Sequence, residues 1–281
     1  MHQLPWHGFY HSSPGFVTSK MKFLTTLALL LALQVCAPRA QVGRDAASEK
    51  APGGDAAKGA AKGTTAAKTV VCIDPGHPSE VASGRTMQHG TNETRVAWEV
   101  ALKLREELEA KGYAVVLTKS AEDELVRNRD RAVVANRAGA ALMVRLHCDA
   151  SVERGFAVYY PDRQGRTKDG AATGPSAEVV EGSRRAATAI HAGMSDVLKG
   201  HLNDNGLRTD YQTKVGREQG GALTGSIFSE VPVVTVEMVV LSDERDAEFI
   251  KREEGQRRMA QAIAEGVARF VQPAPPAPRK K

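Results

Sequence analysis

Two histidines and one glutamate are the residues of this chain whose types and placement best suit chemistry. His77 follows directly on Val70-Val71-Cys72-Ile73-Asp74-Pro75-Gly76, a β-branched run ending at Asp-Pro-Gly, so its imidazole is expected on a tight turn at the carboxyl end of a strand. Open α/β sheets hold their chemistry at that end of the strands. Glu93 comes sixteen positions later, and His147 closes a second apolar run, Ala141-Leu142-Met143-Val144-Arg145-Leu146. Two histidines and a carboxylate suit a catalytic zinc ion, where three protein ligands leave the fourth tetrahedral position to water. The residue types alone leave plainer roles open: His77 as a turn residue, His147 as a hydrogen-bonded core histidine, and Glu93 as an acid favoured at a helix start by the macrodipole.

The elements that must position these groups alternate from Lys68 onward. The patterning predicts strands at 69–73, 113–118, 141–146, 155–160, 226–229 and 232–238. It predicts helices at 93–111, 124–138, 183–199 and 244–270, with irregular stretches at 161–182 and 202–224. In the first helix Val96, Val100, Leu104 and Leu108 recur at the helical period and Gly112 stands just past the end. In the second, Val126, Val133 and Val134 are expected to face the sheet. The alternation implies an α/β fold, one open, mostly parallel twisted sheet of about six strands with helices on both faces. His77, Glu93 and His147 would then project from one sheet edge. Strand side chains alternate between faces, so a metal-facing His147 would turn the Cys148 thiol away. Glu237 ends the run Val233-Val234-Thr235-Val236, where a carboxylate needs a partner, and a structural salt bridge is one reading of it.

Asp74-Pro75-Gly76-His77, Glu93 opening a helix, Leu117-Thr118 closing a strand, Arg131-x-x-x-Ala135-Asn136, Leu146-His147-Cys148-Asp149-Ala150 and Thr235-Val236-Glu237 occur in that order at suitable intervals. Together they resemble the zinc-dependent N-acetylmuramoyl-L-alanine amidases of the amidase 3 cell-wall hydrolase family, over roughly residues 68–271. The resemblance implies Zn2+ held by His77, Glu93 and His147, with Glu237 as the catalytic carboxylate. It also implies peptidoglycan as substrate, cut at the amide between N-acetylmuramic acid and L-alanine. His89 and Arg145 are candidate substrate contacts, although an ion pair equally explains Arg145, and Asn136 is expected to fix backbone. The first loop departs from the family pattern. Members often carry Gly-Gly and a downstream Asp-x-Gly-Ala after the first histidine, whereas here Pro78-Ser79-Glu80-Val81-Ala82-Ser83-Gly84 follows, and Glu80 becomes a rival ligand.

Some members carry an inserted helix that blocks the zinc until a partner displaces it. The stretch 161–182 holds four glycines and little apolar surface, so an open or loop-gated site is expected, in a monomer that requires no activator protein. Two other functions stay in view: a zinc peptidase cutting within the peptide stem, and a non-catalytic wall-binding module that would lack one of the four residues.

Of the 281 residues 42% are apolar, enough for one sizeable domain once the low-complexity ends are set aside. Residues 1–40 read as an N-terminal extension and signal segment, with translation expected to start at Met21. Met21-Lys22 is a basic n-region and Phe23 to Val35 a thirteen-residue apolar stretch, too short for a stable membrane span. Cys36 offers a lipid anchor as the alternative to cleavage. Residues 41–67 read as an Ala/Gly/Lys spacer and 272–281 as a Pro-rich basic tail. An exported protein of the periplasm or cell envelope follows. The net charge of +5 is a weak pointer to an anionic surface, and no aromatic-rich basic motif suggests nucleic acid. Cys72 and Cys148 are expected as two buried thiols, with a disulfide between them as the alternative.

Overall fold

The β-branched runs form the middle of one sheet, as strands covered on both faces should. The computed structural model describes residues 67–149 and 153–275. The leader, the Cys36 anchor, the spacer up to residue 66 and the tail from residue 276 lie outside the described residues. The strands are β1 (Val70–Pro75), β2 (Ala114–Leu117), β3 (Leu142–Asp149), β4 (Phe156–Tyr160), β5 (Gly165–Arg166), β6 (Thr173–Gly174), β7 (Asp204–Thr209) and β8 (Val233–Val240). Six of them form a sheet in the order β2-β1-β3-β8-β4-β7, and β5 and β6 make a separate small hairpin. All neighbours in the large sheet are parallel except β8 and β4.

The helices are α1 (Glu93–Ala110), α2 (Asn128–Arg137), α3 (Ala177–Leu198), α4 (Lys214–Glu218), α5 (Thr224–Ile227), α6 (Glu244–Lys251) and α7 (Glu253–Phe270). One sheet face carries the main core, in which Val71, Ile73, Val144, Leu146, Val234 and Val236 pack with buried residues of α1, α3 and α7. On the other face, under α2, the buried apolar cluster among the described residues is small, Cys72, Ala135, Ala140, Met143 and Val233. Cys72 and Cys148 thus belong to opposite faces. Cys72 pairs in register with Met143, five residues short of Cys148, which rules out a disulfide between them.

Several expectations need correction. Residues 226–229 are not a strand: Thr224–Ile227 is a short helix, and a stretch of four residues with two apolar ones is too short for a period to tell the two apart. The irregular 202–224 contains β7, whose Asp204-Asn205-Gly206 start is polar because it is an edge with a single neighbour. The second helix begins at Asn128, not 124, and buries Arg131, Ala132 and Ala135 while Val133 and Val134 are only half-buried. The closing helix is broken at Arg252, whose extended φ of −80° and ψ of 139° separate α6 from α7. In addition, 161–182 holds the β5–β6 hairpin, and α3 starts at Ala177 behind a Ser176 cap.

Beside the small apolar cluster lies a buried ionic group. Asp74 is fully buried and accepts bonds from Arg131 Nη1 at 2.6 Å, Arg145 Nε at 3.0 Å and Thr118 Oγ1 at 2.5 Å. Burial would push its carboxyl up, but the two guanidinium groups and the hydroxyl outweigh this and hold it well below the ordinary carboxylate range. At the opposite end of β1 the two ends of the domain meet, with Thr69 Oγ1 donating to the Gln272 carbonyl and the Tyr113 hydroxyl to that of Val271.

A carboxyl whose folded pKa lies below its unfolded one stabilises the fold above the unfolded value and loses that contribution as pH falls. Urea unfolding between pH 6 and pH 3 should therefore show stability dropping at the acid end. Asp74→Asn should flatten that slope and cost about 3–5 kcal/mol at neutral pH, since it leaves two buried guanidinium groups without their counter-charge.

Candidate metal centre

Three elements deliver the three candidate ligands to the carboxyl edge of the sheet. Asn92, in extended conformation with its side chain accepting from Arg95 N at 3.0 Å, caps α1 and puts Glu93 in the first turn. His77 follows β1 on a turn where it takes a φ of 53°, uncommon for a residue with a side chain. His147 lies near the end of β3. Glu93 Oε2 is 3.3 Å from His77 Nε2 and Glu93 Oε1 is 2.9 Å from His147 Nδ1. The two imidazoles stand edge to face, 5.1 Å between centroids. One ligand atom from each of the three lies within 4.8 Å of the others, the single such group that could hold a metal among the described residues.

The hydrogen bonds set the ring chemistry. His77 Nδ1 is 3.1 Å from the Ala82 carbonyl, which can only accept, so Nδ1 carries the proton and Nε2 faces Glu93. Burial pushes the His77 pKa down, but the Glu93 carboxylate and the Ala82 carbonyl outweigh it and raise it. For His147 burial prevails and the pKa falls despite Glu93. Burial would raise Glu93, yet its bonds to both imidazoles hold it well below the ordinary range. The ring protons that face this carboxylate are the ones a cation would displace, so the donor set and its spacing fit a divalent metal of the zinc type.

Cys148 addresses Glu93 through its backbone N–H, at 3.1 Å, while the residue itself is buried in the core cluster on the α1 side. Glu237 stands next to His147 in the β3–β8 register and next to Ala157 of β4 on its other side. Two glycines make room for the rings. A Cβ on Gly76 would fall 2.5 Å from His147 Cε1 and 2.7 Å from the Leu146 carbonyl. Gly84, at φ +66°, closes over His77: a Cβ there would come within 2.5 Å of the His77 Cβ.

The remaining candidates separate. Glu80 is not a rival ligand: its carboxylate accepts from Asn128 N at 2.9 Å and caps α2, a use for the departure in the first loop. Arg145 takes the ion-pair alternative. It is 4% exposed and tied to Asp74 and, through Nη2, to Asn128 Oδ1 at 3.1 Å, because its strand position turns it into the α2 face. His89 is exposed and leans on the Ser242 carbonyl just beyond β8. Asn136 bridges the Phe228 carbonyl and the Glu230 amide, holding backbone as expected. In the sequence Asp74 and Arg131 stand in the motif without a role, Gly76 and Gly84 stand only as parts of a turn and a loop, and Lys119 carries no signal. For the glycines the only signal was their position beside the two histidines.

A six-stranded, mostly parallel sheet covered by helices, with a two-histidine, one-glutamate cluster at its carboxyl edge, defines an α/β domain with a candidate metal centre. The chain belongs to the amidase 3 family, described as N-acetylmuramoyl-L-alanine amidase, which matches residues 71–269. It is 26% identical over 228 residues to the N-acetylmuramoyl-L-alanine amidase AmiC of Neisseria meningitidis, covering 75% of this chain but only 54% of that protein. It is also 26% identical to the N-acetylmuramoyl-L-alanine amidase Rv3717 of Mycobacterium tuberculosis, covering 72% of this chain and 86% of the other. In fold it resembles the amidase AmiC2 of Nostoc punctiforme, with a TM-score of 0.57 at 23% identity, covering 72% of this chain and 96% of that one.

Gly76→Ala tests the packing around the centre. The added methyl should displace the His147 ring and lower metal affinity by at least about tenfold, read by competition with a chromophoric chelator. Retained affinity would show that the ring is not held by this contact.

Proposed function

We propose that this domain is an exported zinc-dependent N-acetylmuramoyl-L-alanine amidase, hydrolysing the amide between the lactyl group of N-acetylmuramic acid and L-alanine in peptidoglycan. One observation carries the reading: the His77–Glu93–His147 cluster, with donor atoms within 4.8 Å of one another, lies at the strand end where Glu237 sits beside His147. Zinc held by these three residues would supply Lewis-acid activation of water and offset charge developing on the carbonyl oxygen. Two neutral imidazoles and one carboxylate leave such a dication with a net charge of about +1, which keeps it electrophilic.

Glu237 is the general base. Its carboxylate takes a proton from the attacking water as the oxygen bonds to the carbonyl carbon. It then returns that proton to the amide nitrogen as the C–N bond breaks, so no covalent adduct with the protein is needed. His89, exposed and tied to the strand-end segment that follows Glu237, is the candidate substrate contact at the rim.

Access needs no activator in this reading. The three ligand side chains keep between 14% and 20% exposure. β4 runs antiparallel to β8 and carries the 161–174 segment toward the other end of the sheet, which supports a site without a plug from that segment. No helix among the described residues is long and apolar enough to cross a membrane, and export rests on the Met21 leader.

Glu237→Gln should keep its metal by elemental analysis while turnover of isolated sacculi falls by about 10²- to 10⁴-fold. Unaffected turnover would reject Glu237 as base. Digestion of purified muropeptides should release intact peptides with L-alanine at their amino ends; fragments cut within the stem would favour the peptidase instead.

A further inference from the structure

Beneath the His77 turn three backbone carbonyls point at two buried cations. Arg131, 1% exposed, donates from Nη1 to the Pro75 carbonyl and from Nη2 to the Pro78 carbonyl, both at 2.8 Å. Its Nε holds the Val126 carbonyl at 3.0 Å, and Asp74 balances its charge. Lys119 Nζ, from a residue only 3% exposed, donates to the carbonyl of His77 itself. The turn is thus clamped on both sides of the histidine and at the histidine, with its carbonyls drawn to the cations and its imidazole directed to Glu93. Arg145 shares Asp74 but donates to none of these carbonyls, only to side-chain oxygens of Asp74 and Asn128.

We propose that Arg131 is a positioning residue for the metal centre: its guanidinium fork, spanning the Pro75 and Pro78 carbonyls, fixes the direction of the His77 imidazole and so sets metal affinity. This rests on the zinc reading given above. A planar fork can satisfy two carbonyls and a carboxylate at once, whereas a lysine in its place keeps the charge opposite Asp74 without spanning the turn. Groups that orient a ligand from behind typically change metal affinity by about 10- to 100-fold when removed.

The test compares the full chain with Arg131→Lys, Arg145→Lys and Lys119→Met, measuring zinc dissociation constants by chelator competition, cobalt(II) visible spectra, and thermal midpoints of the metal-free proteins. Arg131→Lys should weaken zinc binding by about 10- to 100-fold and shift the cobalt bands. Arg145→Lys should lower the midpoint comparably yet leave zinc affinity within about twofold, because it perturbs the same ion group without touching the turn. Lys119→Met, which removes the donor from the His77 carbonyl, should weaken zinc binding in the same direction, and it decides the question should Arg131→Lys not fold. Equal affinity losses in the two arginine variants, or wild-type affinity in Arg131→Lys or in a folded Lys119→Met, would overturn the assignment and leave the zinc reading intact. A wild-type chain that binds no zinc would overturn the zinc reading, and this assignment with it.

Discussion

The contact on which the rest depends is the buried carboxylate of Asp74 between two guanidinium groups. An ion removed from water is costly unless it is paired and its remaining hydrogen-bonding sites are filled, and here both conditions are met. Asp74 spends its oxygens on Arg131, Arg145 and Thr118, and the arginines spend their other donors on carbonyls and on Asn128. One residue thereby joins β1 to β3, to the end of β2 and to α2. His77 follows Asp74 by three residues, and of the two arginines only Arg131 also holds carbonyls of the turn that bears it.

The two faces of the sheet divide the labour. The α1, α3 and α7 side is a broad apolar core and provides most of the hydrophobic stabilisation. The α2 side is narrow and polar, and it provides direction, because hydrogen bonds have angles and apolar contacts do not. The candidate ligands draw on both. Glu93 rides on a helix of the apolar side, while His77 is held from the polar side.

Much of this was legible in the sequence, for identifiable reasons. Strands β1, β3 and β8 are largely buried on both faces and therefore appear as mostly apolar runs, and the three candidate ligands were readable because each stands next to a change of pattern: Asp-Pro-Gly before His77, the opening of a helix at Glu93, the end of a run at His147. The edge strand β7 was not legible, since none of its residues is buried. Neither was the burial of Arg131. An arginine in mid-helix normally marks the outer face, and only the partner across the sheet, 57 positions away in sequence, reverses that meaning. Glu80, the lesser alternative to Glu93, falls away for a related reason: a carboxylate near a candidate ligand has the right chemistry for a metal, but this one accepts from the backbone amide of Asn128.

The hydrogen bonds that bring Thr69 and Gln272 together have a mechanical consequence. The polypeptide enters and leaves the domain at one corner, a full strand length from the cluster of imidazoles. A bulky molecule that approaches His77 and His147 therefore meets neither Thr69 nor Gln272, the residues through which the chain enters and leaves.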